Sequence, residues 1–330
     1  MSLLKHAPNF TVDQAETLAK DFYGLTAIAS ALPSERDQNF LVATESEKFV
    51  LKIANELEQR QLLEAQNDVL AHLAPQVSFT PHVIETKVGE LITPVLTKSS
   101  SHLVRLVTFI SGEPLAKVAQ TPEVLFDLGR SLGKLRTALA EFDHAAFHRY
   151  FHWDLANGLR VVTEYDVLLA DVELRNRIDD YASEFQRSDA CRLEQLPRSV
   201  IHGDANDYNV IVDNERVVGL IDFGDMVYSY TVGDLAVALA YVVLDKSDPL
   251  SSAREVIKGY LFEVALTDTE LELLWPLTLM RLCMSVCIAA FQQQQKPDNK
   301  YLDISQQSIR RSLPQLLSIT SEKLSQSLKH

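Results

Sequence analysis

The sequence is poor in the features of secreted and nucleic-acid-binding proteins. Its three cysteines are an odd number and too few for a disulfide framework. Lys and Arg number 31 against 45 Asp and Glu, and the net charge of −14 opposes binding to nucleic acid or to an anionic membrane surface. The N-terminal residues include no apolar stretch long enough for a signal peptide. We therefore expect a cytoplasmic, soluble protein whose acidic surface tolerates cationic small molecules.

The chain also lacks a convincing membrane span. Its longest apolar stretch, residues 273–291, is interrupted by Pro276 and Arg281, so we expect a buried helix there. Cys283 and Cys287 lie in the same stretch without nearby His or Cys partners, which favours buried thiols over a metal site. With 330 residues and 46% hydrophobic residues, the chain is long enough for two domains with a sizeable core.

The most informative stretch is residues 200–234, VIHGDANDYNVIVDNERVVGLIDFGDMVYSYTVGD. Asn209 follows Asp204 by five positions, and Asp222 opens the tetrapeptide DFGD. Two apolar runs between Asn209 and Asp222 are separated by the polar residues 213–216, a pattern typical of a β-hairpin. Because a hairpin brings its outer ends together, we expect Asn209 and Asp222 to be neighbours that face Asp204.

This arrangement suits phosphoryl transfer, which needs a carboxylate to orient the attacking hydroxyl and oxygen ligands for Mg²⁺. Protein kinases space these groups as H-R-D-x-x-x-x-N followed by D-F-G. HGDANDYN and DFG keep that spacing, with Gly203 in the arginine position. The form resembles the aminoglycoside phosphotransferase and choline kinase superfamily. The resemblance implies that Asp204 is the catalytic base and that Asn209 and Asp222 bind Mg²⁺.

A lysine in an apolar strand is the clearest feature of the N-terminal part. Lys52 lies within FVLKI, where burial is unfavourable unless the charge is paired. Protein kinases have a lysine in such a strand that pairs with nucleotide phosphates and a helix glutamate. We expect a helix over residues 56–73, capped by Asn55, with Glu64 as the best-placed partner of Lys52.

Glycine is absent where a protein kinase has its glycine-rich phosphate loop. The corresponding segment, residues 32–40, reads LPSERDQNF. Ser34 and neighbouring backbone N–H groups would hold the phosphates instead, because the amides of a turn supply donors without glycine. Further on, VRLVTFISGEPL ends a strand with glycine and proline. In the kinase arrangement this is the hinge, where the base of ATP or GTP would bond backbone atoms around Thr108 to Ile110.

The resemblance implies an α+β, protein-kinase-like fold with two lobes. We expect a small antiparallel β N-lobe with the nucleotide-binding sheet and helix at residues 1–110. A larger, mainly helical C-lobe at residues 111–330 would contain the catalytic loop, the Mg²⁺ site and the acceptor-binding region. His202 would brace the catalytic loop by packing, and Asp234 would cap a helix and tie its start to that loop.

Three residues are candidates for contact with an amine of the acceptor. Trp153 and Asp154 place an aromatic face beside a carboxylate, which suits an ammonium group, but a capping Asp and a packed Trp would give the same pattern. Asp225 follows the proposed metal-binding carboxylate and could equally stabilise its loop.

Several stretches, among them KFVLKI, LLEAQNDVL and FHWDL, resemble the hydroxylysine kinase branch of the superfamily. This implies transfer of the γ-phosphate of ATP or GTP to a hydroxyl of hydroxylysine or a similar amino-bearing metabolite. An aminoglycoside, homoserine, methylthioribose or choline-type kinase is the alternative acceptor class. A nucleotide-binding pseudokinase that acts as an interaction module is favoured by the missing glycine loop. The intact residues Lys52, Asp204, Asn209 and Asp222 oppose it, and the sequence does not indicate an oligomeric state.

Overall fold

A computed structural model describes residues 6–34, 36–97, 100–295 and 305–329 of the chain. The chain folds as two compact units, the first ending at Ser111 and the second beginning at Gly112. The sequence predicted a boundary between residues 110 and 111. The assignment of nucleotide binding to the first unit and of acceptor binding to the second stays a prediction.

Unit 1 is an antiparallel sheet with two helices. Alternation of buried and exposed residues in its second and third strands places Phe40 and Leu51 in the core, beneath the first helix. The strand order is β1-β2-β3-β6-β4, and β5 also pairs with β6. The elements are α1 Val12–Tyr23, β1 Ile28–Leu32, β2 Gln38–Ala43, β3 Lys48–Ile53, α2 Arg60–Leu73, β4 Val83–Ile84, β5 Thr93–Leu96 and β6 Ser101–Thr108.

The start of α2 differs from the sequence prediction. The helix begins at Arg60, and the side chain of Asn55 accepts a hydrogen bond from the N–H of Leu57 at 3.1 Å, within a turn before the helix. The Asn55 amide also donates to the carbonyl of Arg36 at 3.1 Å. Asn55 therefore caps a turn and holds the glycine-free loop. The misplaced start reflects the ability of Asn to cap a turn or a helix by the same local bond.

Unit 2 is mainly helical, with short strands around the predicted catalytic loop. One sheet has the order β10-β9-β7, and β11 pairs with β8. The predicted α+β class, with an antiparallel sheet in the first unit and a mainly helical second unit, is confirmed. The elements are β7 Glu113–Pro114, α3 Pro122–Leu139, α4 Gly158–Tyr165, α5 Val172–Ser188, β8 Arg198–Ile201, β9 Val210–Asp213, β10 Arg216–Leu220, β11 Val227–Tyr230, α6 Gly233–Val242, α7 Pro249–Glu263, α8 Asp268–Gln295, α9 Gln306–Leu316 and α10 Ser321–Ser327.

The hairpin predicted after Asn209 is present as β9 and β10. Its two-residue turn consists of Asn214 and Glu215, both with positive φ, of 46° and 61°. Two positive φ values match the twist of the flanking strands, and Asn adopts this conformation readily. The N–H of Ile221 donates to the carbonyl of Asn209 at 2.9 Å. The hydrogen bonds between the two strands of the hairpin thus continue to Ile221, the residue before Asp222.

Helix α8 forms the centre of unit 2. It is long and apolar enough to cross a membrane by length and composition, but its whole apolar window is buried in the protein, as in a core helix. Cys283 and Cys287 are buried thiols. Within the described ranges, no group of three or more His, Cys, Asp and Glu residues could hold a metal ion.

Helices α3 and α7 approach so closely that two glycines are required at their crossing. A Cβ at Gly129 would lie 1.9 Å from the carbonyl oxygen of Val256, and one at Gly259 would lie 1.9 Å from that of Phe126. Both contacts are with backbone, which cannot rotate away as a side chain can. The crossing therefore excludes any larger residue at either position.

We expect Gly129→Ala to lower the free energy of unfolding by about 1–3 kcal/mol, since overpacking forces backbone shifts. Helix propensity alone would favour alanine by about 0.8–1 kcal/mol, so the sign of the change separates the two effects. The urea midpoint measures it. Lys134→Ala, at an exposed position of the same helix, is the control and should leave the midpoint nearly unchanged. A midpoint for Gly129→Ala at or above that of the unaltered chain would contradict this account.

Candidate active site

The loop that carries Asp204 is held by a carboxylate of helix α6. Asp234 accepts hydrogen bonds from the N–H of His202 at 3.0 Å and from the N–H of Gly203 at 2.8 Å. Asp234 thus ties the helix start to the loop, although it lies in the first turn of α6 and is not the capping residue. Gly203 has φ +80°, and a Cβ there would lie 2.7 Å from the carbonyl oxygen of Asp225. Only glycine fits this position without strain.

His202 braces the same loop as a neutral imidazole. Its Nδ1 accepts from the N–H of Asp204 at 3.2 Å, so the proton must lie on Nε2, which donates to the carbonyl of Ile221 at 3.1 Å. Complete burial lowers the pKa of His202, with Asp234 opposing the shift. The ring of Phe223 packs edge-on against it at 4.7 Å. His202 therefore joins the loop that carries Asp204 to the DFGD turn.

Both carboxylate oxygens of Asp204 are engaged. Oδ2 accepts from the side-chain amides of Asn206 at 2.9 Å and Asn209 at 2.8 Å, and Oδ1 accepts from Arg281 Nη2 at 2.7 Å. The Asn209 amide also donates to the carbonyl of Asp204 at 2.9 Å. The structure thus brings Asp204 and Asn209 together. Because the nitrogen of the Asn209 amide faces Asp204, its oxygen points to the other side.

Burial dominates the titration of Asp204. It raises the pKa of this carboxyl to about 8, while Arg281 lowers it and Asp225 and Asp222 raise it by repulsion. The carboxylate form is disfavoured where water is excluded and like charges are near, and a bound cation would favour it. The environment of Asp204 is therefore suited to a cationic ligand.

Asp222 adopts an uncommon backbone conformation two residues after the end of β10. Its φ of 64° is left-handed, which is sparsely populated by residues other than glycine and often found at functional sites. A Cβ at Gly224 would lie 3.4 Å from Asp222 Oδ1. Arg149 holds the turn from outside by donating to the carbonyls of Gly224 at 3.0 Å and Met226 at 3.1 Å. The main chain of this turn is fixed at several points.

The donor set at these positions fits a hard divalent cation. The Asn209 amide oxygen and the Asp222 carboxylate are oxygen ligands, which Mg²⁺ and Ca²⁺ prefer, and neither His nor Cys, the usual main ligands of Zn²⁺, belongs to this pair. The hairpin places Asn209 next to the residue before Asp222. Mg²⁺ binding by these two residues and base catalysis by Asp204 remain predictions, to which the geometry adds support.

Trp153 and Asp154, both predicted to bind an amine, lie shortly before α4 and make contacts within the protein. Asp154 is buried, accepts from the N–H of Ala156 at 2.9 Å and accepts from the hydroxyl of Ser229. Burial raises the pKa of Asp154, and the Ser229 bond opposes the shift. The carbonyl of Trp153 accepts from Arg281, whose guanidinium lies 4.5 Å from the Trp153 ring centroid. These contacts support the capping alternative for Asp154, and its amine-binding role stays a prediction.

Asp225 is buried at the end of the DFGD turn. Its charge raises the pKa of Asp204, and its carbonyl oxygen lies against the Gly203 position. It is therefore part of the same cluster of carboxylates. Whether it binds an amine of the acceptor stays a prediction.

Lys52 belongs to a polar row across unit 1. It is paired with Asn39 on β2 and with Arg105 on β6, and directly opposite residues share one face of a sheet. Arg105 is buried and donates to Asn67 Oδ1 at 3.0 Å and to Gln66 Oε1 on α2. The inward-facing polar residues of α2 are thus amides.

Glu64, the predicted partner of Lys52, lies on the exposed face of α2. Its carboxylate is 3.5 Å from Arg60 Nη1, one turn before it, in a partly solvated pair. Such i,i+4 pairs contribute little to stability. The Lys52–Glu64 pair stays a prediction. The register of α2, which places Glu64 on the exposed face, does not favour it.

Other residues predicted to contact the nucleotide have local partners in unit 1. The hydroxyl of Ser34 accepts from Asn39 Nδ2 at 3.4 Å. The N–H of Thr108 donates to His82 and that of Phe109 donates to Lys48, so neither N–H is free to bind a base. Ile110 follows the last paired residue. Base binding at Thr108 and Ile110 and phosphate binding at Ser34 stay predictions.

Sequence reasoning overlooked two buried arginines, Arg281 in contact with Asp204 and Arg105 opposite Lys52. Each is a single charge within an apolar run, and each is almost fully buried, at 2% and 4% exposure. Charges in such positions need partners, so the interruption of the run was the signal. The identity of the partners depends on contacts between residues distant in sequence.

The chain matches the phosphotransferase enzyme family over residues 29–268 and belongs to it. It is therefore a phosphotransferase of the small-molecule kinase class. Among its relatives is a hydroxylysine kinase of Xenopus laevis, 31% identical, with 92% of this chain and 89% of the relative covered.

Many solved structures share the fold, among them two kinases, and this likeness confirms the predicted protein-kinase-like fold. A microcompartment-associated aminopropanol kinase has a TM-score of 0.73 and 17% identity, with 97% of this chain and 99% of that chain covered. An amicoumacin kinase in complex with AMP-PNP and Ca²⁺ has a TM-score of 0.72 and 13% identity, covering 96% and 97%. The resemblance to the aminoglycoside phosphotransferase superfamily and its hydroxylysine kinase branch is confirmed.

We expect Asp234→Asn to lower kcat on the order of 10- to 100-fold, because misplacement of the catalytic loop is costly to the reaction. Asparagine has one oxygen, so one of the N–H groups of His202 and Gly203 would face the amide nitrogen. An unpaired buried donor also costs about 1–3 kcal/mol of stability. Kinetic assays and thermal unfolding measure the two effects. Asp180→Asn, at an exposed position of α5, is the control. A folded Asp234→Asn chain with unaltered kcat would contradict the anchoring role.

Proposed function

We propose that this protein transfers the γ-phosphate of ATP or GTP to a hydroxyl of a small amino-bearing metabolite, with hydroxylysine or a similar hydroxy-amino acid or amino alcohol as the acceptor. The observation that carries the proposal is the arrangement of Asp204 and Asn209, joined by hydrogen bonds of 2.8 and 2.9 Å at the base of the hairpin that ends in Asp222. The hydroxylysine kinase relative supports the acceptor class. We place the activity in the cytoplasm.

Each group has a separate task in this proposal. Asn209 and Asp222 would hold Mg²⁺. Bound Mg²⁺ would offset the negative charge that develops on the phosphate during transfer. Asp204 accepts the proton of the acceptor hydroxyl and orients it toward the phosphate. In unit 1, Lys52 binds the nucleotide phosphates, with Ser34 and nearby backbone amides as further donors.

Charge supports an acceptor that contains an amine. The negative charges of Asp222 and Asp225 repel that of Asp204, and Arg281 is a cation in contact with Asp204. An ammonium group on the acceptor would offset part of this negative charge, whereas an anionic acceptor would add to it. The net charge of −14 acts in the same direction over longer distances.

The test is Mg²⁺-dependent transfer from ATP and from GTP, measured separately, to hydroxylysine, homoserine, choline, ethanolamine and kanamycin. We expect turnover with one amine-bearing acceptor. Asp204→Asn should lower kcat by about 10²–10⁴-fold, the range of general base catalysis, and still bind nucleotide. Asp222→Asn should weaken Mg²⁺ binding and so raise the Mg²⁺ concentration needed for half-maximal activity. Asp213→Asn, on the exposed part of the same hairpin, should behave as the unaltered chain.

The outcomes separate the competing functions. Turnover with kanamycin or choline alone would move the acceptor to the aminoglycoside or choline class. Mg²⁺-dependent nucleotide binding without transfer to any acceptor would favour the pseudokinase. Failure to bind ATP and GTP would overturn the kinase proposal.

A further inference from the structure

Arg281 occupies a position where a charge is unfavourable. It lies in the middle of α8 within an apolar run of the sequence, and its side chain is 2% exposed. Removing a guanidinium from water costs several kcal/mol, and replacement of a buried ion pair by apolar residues is often neutral or stabilising. Stability alone therefore gives a weak reason for an arginine at this point of the helix.

The guanidinium is held in one orientation. Nη1 donates to the carbonyl of Trp153 at 2.9 Å, Nη2 donates to Asp204 Oδ1 at 2.7 Å, and Cζ lies 4.5 Å from the centroid of the Trp153 ring. Tyr241 contributes a further side-chain contact. The donors of a guanidinium lie in one plane in a fixed geometry. Because the Trp153 carbonyl holds Nη1, the bond from Nη2 to Asp204 has a fixed direction.

The bond from Arg281 completes the fixation of the Asp204 carboxylate. Asn206 and Asn209 donate to Oδ2, and Arg281 donates to Oδ1. A carboxylate has about four acceptor sites, so these three bonds leave one for an incoming hydroxyl, on Oδ1. Without Arg281 the carboxylate would be held at one oxygen only, and Oδ1 would have two open sites.

We propose that Arg281 is a positioning residue for the transfer reaction, which fixes the plane of the Asp204 carboxylate so that one lone pair of Oδ1 meets the acceptor hydroxyl. Trp153 acts with it by holding the guanidinium through its carbonyl and its ring. This role rests on the proposed function, because it requires Asp204 to receive an acceptor. Arg281 thus connects the irregular segment before α4, through Trp153, with the carboxylate of Asp204.

The experiment compares Arg281→Met, Arg281→Lys and Trp153→Leu with the unaltered chain, using the acceptor that the panel identifies. Arg281→Met should lower kcat about 100-fold, the effect of a misplacement near 1 Å, and leave the KM for nucleotide unchanged. Arg281→Lys keeps the charge but lacks the planar guanidinium, so its kcat should lie between that of Arg281→Met and that of the unaltered chain. Trp153→Leu should lower kcat less than Arg281→Met. In Arg281→Ala, added guanidinium ion should restore part of kcat.

Arg136→Met is the matched control. It also breaks a buried ion pair of unit 2, in which Arg136 Nη1 lies 2.8 Å from Glu270 Oε1 and the Glu270 side chain is 0% exposed. Arg136→Met should lower the unfolding temperature while leaving kcat of the folded fraction unchanged. A merely structural Arg281 would behave in the same way.

A folded Arg281→Met chain with the kcat of Arg136→Met would overturn the role of Arg281. Should Arg281→Met fail to fold, unaltered kcat in both Arg281→Lys and Trp153→Leu would overturn it, and the graded loss would support it. An unaltered chain without transfer to any acceptor would overturn the proposed function and this proposal with it.

Discussion

The position of Asp204 depends on the carboxylate of Asp234. Two backbone N–H groups, of His202 and Gly203, donate to its two oxygens, so a buried charge is satisfied by the loop that it orients. Gly203 has a left-handed φ at this attachment, and the next residue, Asp204, accepts a hydrogen bond from Asn209. Helix α6 thus supplies a rigid support for a loop that would otherwise have only its own turn contacts.

Local patterns predicted the parts of the site that lie close together in sequence. The hairpin between Asn209 and Asp222 was correct because polar turn residues separate two apolar runs. The turn sets the register of the two pairs next to it, and an irregularity between Val217 and Gly219 then shifts the register by one residue. The helix after β3 was correct in type but wrong in its start, because Asn55 caps a preceding turn. Glu64 was chosen by its place in the helix, yet the inward positions hold Gln66 and Asn67.

Contacts between distant residues could not be predicted. Arg281 is 77 positions from Asp204, and the sequence shows only that a charge interrupts an apolar run. Trp153 and Asp154 looked alike as candidates for an amine site, but their contacts differ: one holds Arg281 and the other caps a 3₁₀ turn. Side chains with two plausible uses are assigned by tertiary packing, which periodicity and spacing do not describe.

The contacts around Asp204 also explain why the motif identifies the reaction better than the acceptor. Its partners Asn206, Asn209 and Arg281 are all internal, so they fix the carboxylate whatever molecule supplies the hydroxyl. Selection among acceptors must come from groups beyond this shell, which differ in chemistry from one kinase to another. The partly buried carboxylate of Asp204 and the buried carboxylate of Asp225 repel each other, and a cationic ligand would relieve that repulsion. Under the proposed function, charge therefore favours an amine-bearing acceptor, and the groups that contact the acceptor must select within that class.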